Sequence, residues 1–172
     1  MQKYYQEYDI PASISNKNLQ QIINFYLFEC PVPETTFRGK VFKEFGFEGS
    51  KAFGRLKDEM LKAATDSLSN NYIPCKKSTL NESFKKIETV SPPDEYCVFL
   101  ENSKKSVMQS LFSAIRNALA HGSFNVKSYD GIRIYFFVNY YGYKKAQIVL
   151  QEKTLLAWIS LIQAGYSSMI SR

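Results

Sequence analysis

Apolar residues recur along the chain at two different spacings, and the change from one to the other divides it. Leu19, Ile22, Ile23, Tyr26 and Leu27 fall at helical spacing after a capping Ser15 or Asn16, and Pro31 ends that helix. Phe37, Val41, Phe42 and Phe45 predict a short helix before Gly46, and Phe53, Leu56, Met60, Ala64 and Leu68 set a stripe along a helix from about 50 to 69. Leu80, Phe84 and Ile87 mark a weaker one, stopped by Pro92 and Pro93. Residues 95–100 are β-rich by propensity yet lead straight towards a helix. From about 103 to 121 the helical signal is strong, with Val107, Leu111, Ile115, Ala118 and Leu119 on one side and Gly122 placed as a left-handed cap. The period then drops to two. Ile132, Ile134, Phe136 and Val138 alternate with Arg133, Tyr135 and Phe137, a turn follows at 140–143, and 146–150 pairs back, giving a hairpin over about 131–150. Leu155, Trp158, Ile159, Ile162, Tyr166 and Ile170 line a last helix over about 152–170.

These elements predict one mainly α domain over 1–172, a helical bundle with a β-hairpin inserted before the C-terminal helix. The 172 residues suffice for a single hydrophobic core.

Composition adds direction. Twenty-two Lys and Arg against 16 Asp and Glu give a net charge of +6, which favours a polyanionic partner. The aromatic content is high, with 13 Phe and 12 Tyr; many belong inside, and any left at a surface would suit stacking on bases or packing a dimer interface. Cys30, Cys75 and Cys97 are dispersed and only one histidine accompanies them, which argues against a disulfide framework and against a metal site. The polar opening from 1 to 9 is no apolar leader, and no apolar run has the length of a bilayer span. The expectation is a cytoplasmic protein with no membrane partner, no metal and no cofactor.

The chemistry concentrates at one helix end. At about 100° per residue, Ser110, Ser113, Asn117 and His121 form one polar stripe, with Arg116 about 100° to its side. Ala114 and Ala120 rim the stripe and leave room for a bulky ligand. An imidazole can take a proton from a ribose 2′-OH or give one to a departing 5′-oxygen, and a guanidinium can hold the phosphate between them. One histidine does not serve as base and acid at once, so two copies meeting at a twofold axis would complete the set. On spacing alone, an arginine and a histidine near a helix end are more often a cap and a charge compensating the helix dipole.

The string Arg116-Asn117-Ala118-Leu119-Ala120-His121-Gly122 resembles the signature of the HEPN superfamily (higher eukaryotes and prokaryotes nucleotide-binding), an arginine, a polar residue, a short spacer and a histidine ending a helix. Ser113-Ala114-Ile115 before it and Ser123-Phe124 after it are similar to the surroundings in bacterial members, and the hairpin followed by a helix resembles some plasmid and phage-defence proteins of that superfamily. The resemblance implies an all-α HEPN-like bundle and a metal-independent endoribonuclease acting on RNA as a homodimer paired through the motif helix. It implies Arg116 and His121 as catalytic residues, with Asn117 positioning them or the phosphate; Ser113 and Ser110 are candidates for the same positioning. It also implies a toxin or phage-defence effector, partnered by an antitoxin or other regulatory protein. Non-catalytic members that bind RNA, a nucleotide or a protein partner supply the alternative.

On the hairpin, Arg133, Tyr141, Lys144 and Lys145, near Tyr135, Tyr140 and Tyr143, combine aromatic and basic groups as candidate RNA contacts, although a half-buried sheet face with solvated lysines has the same composition. Lys76, Lys77, Lys85, Lys86, Lys104 and Lys105 read first as exposed faces and second as a phosphate path. Tyr4, Tyr5 and Tyr8 suit either a terminal arm packed on a second subunit or a frayed end.

Overall fold

The structure, a computed structural model, describes residues 16–32 and 40–171. The expectations placed on Ser15, Phe37 and the tyrosines at 4, 5 and 8 lie outside the described residues.

Helix α1 (Lys17–Asn24) starts where the Asn16 side chain accepts the Leu19 N–H at 3.0 Å, and it widens into a π-turn (Phe25–Glu29) before Pro31. A 3-10 turn (Phe42–Phe45) ends at Gly46, whose φ of 79° suits glycine. The stripe expected as one helix from about 50 to 69 is two, α2 (Gly49–Lys62) and α3 (Asp66–Asn70). Strand β1 (Tyr72–Cys75) and helix α4 (Leu80–Lys86) lead to β2 (Tyr96–Leu100). The helix α5 (Val107–Ala120) precedes β3 (Phe124–Tyr129), β4 (Ile132–Tyr141), β5 (Tyr143–Gln151) and α6 (Glu152–Ile170).

The fold class differs from the expectation. The protein is mixed α/β, built on a five-stranded sheet ordered β1-β2-β5-β4-β3, rather than a mainly α or all-α helical bundle carrying a lone hairpin. Two strands and the role of a third account for the difference. The chain at 95–100 is a central strand, paired parallel to β1 and antiparallel to β5, and four of its five residues are buried. A strand buried on both faces has no alternation to read. Its neighbour β1 is four residues long and contains Pro74, which an edge strand tolerates because one side of its ladder is unused. The opposite edge, β3, pairs with β4 through a tight turn in which Asp130 (φ 50°) and Gly131 (φ 80°) take the positive dihedrals of a two-residue hairpin.

One face of the sheet carries Cys97, Phe99, Tyr135, Phe137, Ala146, Ile148 and Leu150 and packs under α5, α6 and the N-terminal helices. The other face, with Val98, Ile134 and Val149, is partly covered by Leu80, Phe84 and Ile87 around α4. Backbone passes close to backbone where the 3-10 turn meets α6. Gly165, at φ 77°, breaks that helix, and a β-carbon there would stand 3.0 Å from the Phe45 carbonyl oxygen.

A buried carboxylate joins these parts. Glu95, fully enclosed, accepts the Thr65 N–H and hydroxyl at 2.8 and 2.7 Å on one oxygen and the Gln151 N–H at 2.7 Å on the other. Thr65 and Gln151 are the N-cap residues of α3 and α6, so the side chain of Glu95 ties the starts of two helices together. Glu95 in turn donates its own N–H to Ser67 Oγ at 2.9 Å. Removing the carboxylate strands three donors. Glu95→Ala is therefore expected to cost about 3 kcal/mol of folding stability, read from urea denaturation; a loss under about 1 kcal/mol would contradict this role.

Candidate functional site

Helix α5 is set by its ends and its two sides. At the start, Ser106 Oγ accepts the Gln109 N–H and Gln109 Oε1 accepts the Ser106 N–H, a reciprocal box that begins the helix a few residues later than expected. The intervening residues form a loop in which Asn102 Oδ1 accepts the Lys104 N–H. At the end, Gly122 takes φ 64°, its N–H reaches the Leu119 carbonyl, and the Ser123 N–H reaches the Ala118 carbonyl. That closure makes His121 the C-cap, directly after the last helical residue, and leaves it exposed. Between the ends, Leu111, Phe112, Ile115, Ala118 and Leu119 are buried.

The polar side of α5 faces the far ends of β2 and β4 across a cleft of about 430 Å³. Ser110, Ser113, Ala114, Asn117 and His121 form one wall; Asn139, Tyr140, Tyr141 and Lys145 form the other, and Leu100 to Ser103 with Lys105 close one end. The two serines are already engaged. Ser110 Oγ donates to the Ser106 carbonyl and accepts the Asn102 N–H, which ties the loop to the helix. Ser113 Oγ accepts from Lys105 Nζ at 3.1 Å. Ala120, expected on the rim, is exposed and outside the cleft lining.

Arg116 stands apart from the cleft lining. Its Nη1 donates to Asn117 Oδ1 at 3.1 Å, and its Nε is buried with no hydrogen-bond partner among the described residues. It lies near Cys30, whose thiol burial pushes well up, opposed by a backbone hydrogen bond at Val32 and by the Arg116 charge. With Oδ1 engaged, the Asn117 amide keeps its N–H donors for a ligand. Arg116 thus reaches the cleft through Asn117.

The hairpin residues divide in the same way. Tyr141 is 78% exposed, and Lys145 Nζ sits 4.9 Å from its ring centre, so an aromatic platform and a cation share the cleft wall. Lys144 lies over the Phe84 ring at 4.1 Å and donates to Gln147, and burial lowers its pKa. Arg133 pairs with Glu152 at 3.5 Å, beside the hydrogen bond from Tyr135 to the same carboxylate oxygen. Neither Lys144 nor Arg133 lines the cleft. Asn139 does, and sequence reasoning missed it; its place two residues beyond Phe137, on the inward side of the alternation, carried the signal.

Among the described residues no three His, Cys, Asp or Glu side chains gather as a metal ion would require, and no helix is long and apolar enough to cross a membrane. No family model, curated protein or solved structure matches the chain.

His121 is the protein's single histidine, so its imidazole gives one resonance set that reports the cleft alone. A short oligoribonucleotide bound in the cleft would shift that resonance in NMR spectra of the wild type and of Arg133→Gln equally. An unmoved imidazole signal at saturating RNA would remove the cleft as the binding place.

Proposed function

We propose that the protein is a metal-independent endoribonuclease and that the cleft ending at His121 is where it cuts. The observation that carries this is the convergence of the one imidazole with an amide, a hydroxyl, an exposed tyrosine and a lysine ammonium along a single cleft. The motif resemblance supports it, and so does the excess of basic residues. The all-helical bundle that the resemblance implied plays no part in the argument, which rests on the side chains.

In this reading His121 takes the proton from a ribose 2′-OH as that oxygen attacks phosphorus. The bond from phosphorus to the 5′-oxygen breaks, and the departing oxygen gains a proton. Asn117 N–H groups and Lys145 offset the charge that grows on the phosphate. Arg116 orients Asn117 through the hydrogen bond to Oδ1. One imidazole is base or acid at a given instant, so a homodimer paired near the exposed end of α5 would supply the second proton-transfer group. Buried thiols at Cys30, Cys75 and Cys97 agree with a cytoplasmic setting, and a toxin or defence effector under an antitoxin's control fits such an activity. The withdrawal of the Arg116 guanidinium from the cleft favours one rival, a module that binds RNA without cutting it.

Cleavage separates the two. His121→Ala is expected to lower the rate of RNA cleavage at least about 100-fold, leaving the melting temperature in place because the side chain is exposed. EDTA should leave the wild-type rate intact. Undiminished cleavage by His121→Ala would overturn the assignment.

A further inference from the structure

The cleft is longer than a single phosphate needs. Ser113, which receives Lys105 Nζ, and His121 are eight residues apart along α5 and its C-cap. On the helix rise that separates them by about 12 Å, on the order of two nucleotides of extended single strand. A cation therefore stands at one end of the cleft and the imidazole at the other. The facing wall, from Asn139 to Tyr141 with Lys145, runs alongside. Tyr141 is exposed enough to take a base on its face, and a base can reach it only when unpaired.

From this placement, and resting on the reading of the cleft as an RNA site, we propose that the substrate is single-stranded RNA held at two phosphates. The scissile one lies at His121, and a second, about two nucleotides away, lies at Lys105, with a base stacked on Tyr141 between them. Ser113 sets the position of the Lys105 ammonium through their 3.1 Å hydrogen bond. Glu101 lines the same end of the cleft, so its carboxylate opposes the phosphate that Lys105 attracts. Lys105 and Glu101 consequently act on binding with opposite signs, which a purely structural role for the loop would not produce.

The test uses the full chain and a 2′-O-methyl RNA tetranucleotide, which binds but is not cut, with affinity read by fluorescence anisotropy. Lys105→Gln is expected to weaken binding about tenfold and to reduce the slope of log affinity against log salt by about one. Glu101→Gln is expected to tighten binding. Replacing one linkage at a time by an uncharged methylphosphonate should weaken wild-type binding most at the linkage held by Lys105, and that selective loss should vanish in Lys105→Gln. A longer RNA hairpin that holds the same sequence in its paired stem should not compete. Wild-type affinity in Lys105→Gln, the same sign of change in both variants, or equal sensitivity at every linkage would overturn the proposal. Because no cleavage enters these measurements, the binding pattern can hold even if the catalytic reading fails, and cleavage can persist if Lys105 proves indifferent.

Discussion

The ring of Phe112 is the point on which the rest of the molecule is assembled. It stacks on Tyr26 at 5.7 Å, meets the edge of Phe42 at 5.9 Å and tilts against Trp158 at 6.3 Å, so it joins the N-terminal π-turn, the 3-10 turn and α6 to α5. Aromatic contacts of this kind add about 0.5–1.5 kcal/mol each beyond the area they bury. Trp158 extends the connection by donating its indole N–H to the Met60 carbonyl of α2 at 2.9 Å. The rotation of α5 about its own axis is thereby fixed: with Phe112 turned inward, Ser113 and Asn117 face the cleft, and Arg116, one turn beyond Phe112, is carried towards the core side.

That geometry explains the division of labour between the two residues that seemed equivalent in the motif. A helical wheel places Arg116 within reach of the polar stripe, and it treats the arginine as a flexible arm in water. In the fold the same arm runs beside Cys30, loses solvent at Nε and spends its guanidinium on Asn117. His121 escapes this because the glycine closure releases the chain at that residue. The end of the motif presents a group to solvent while its beginning stiffens the group between them.

The legible parts of the chain were those with a strong local signal. The capped helix α1, the glycine that terminates α5, the hairpin with its turn at Gly142 and the long last helix were all readable from period and breakers. The sheet was not, because its strands are specified by partners distant in sequence: β1 pairs with β2 across more than twenty residues, and β2 with β5 across about fifty. Only β3 offered a local cue that was passed over, the Asp130-Gly131 turn between alternating residues. For the site, the helix wall was visible in the stripe, whereas Asn139 and Lys105 joined it only once the sheet end and the loop before α5 were in place.

The cleft thus draws its chemistry from a helix end and its length from a sheet end, and the claim that these together cut RNA by internal attack is open to one direct measurement. Mass spectrometry of the products of a defined RNA should find 2′,3′-cyclic phosphate and 5′-hydroxyl ends, with no cut at a position carrying a single 2′-deoxy sugar. Products ending in 3′-hydroxyl and 5′-phosphate groups, or cleavage that ignores the missing 2′-oxygen, would contradict the account.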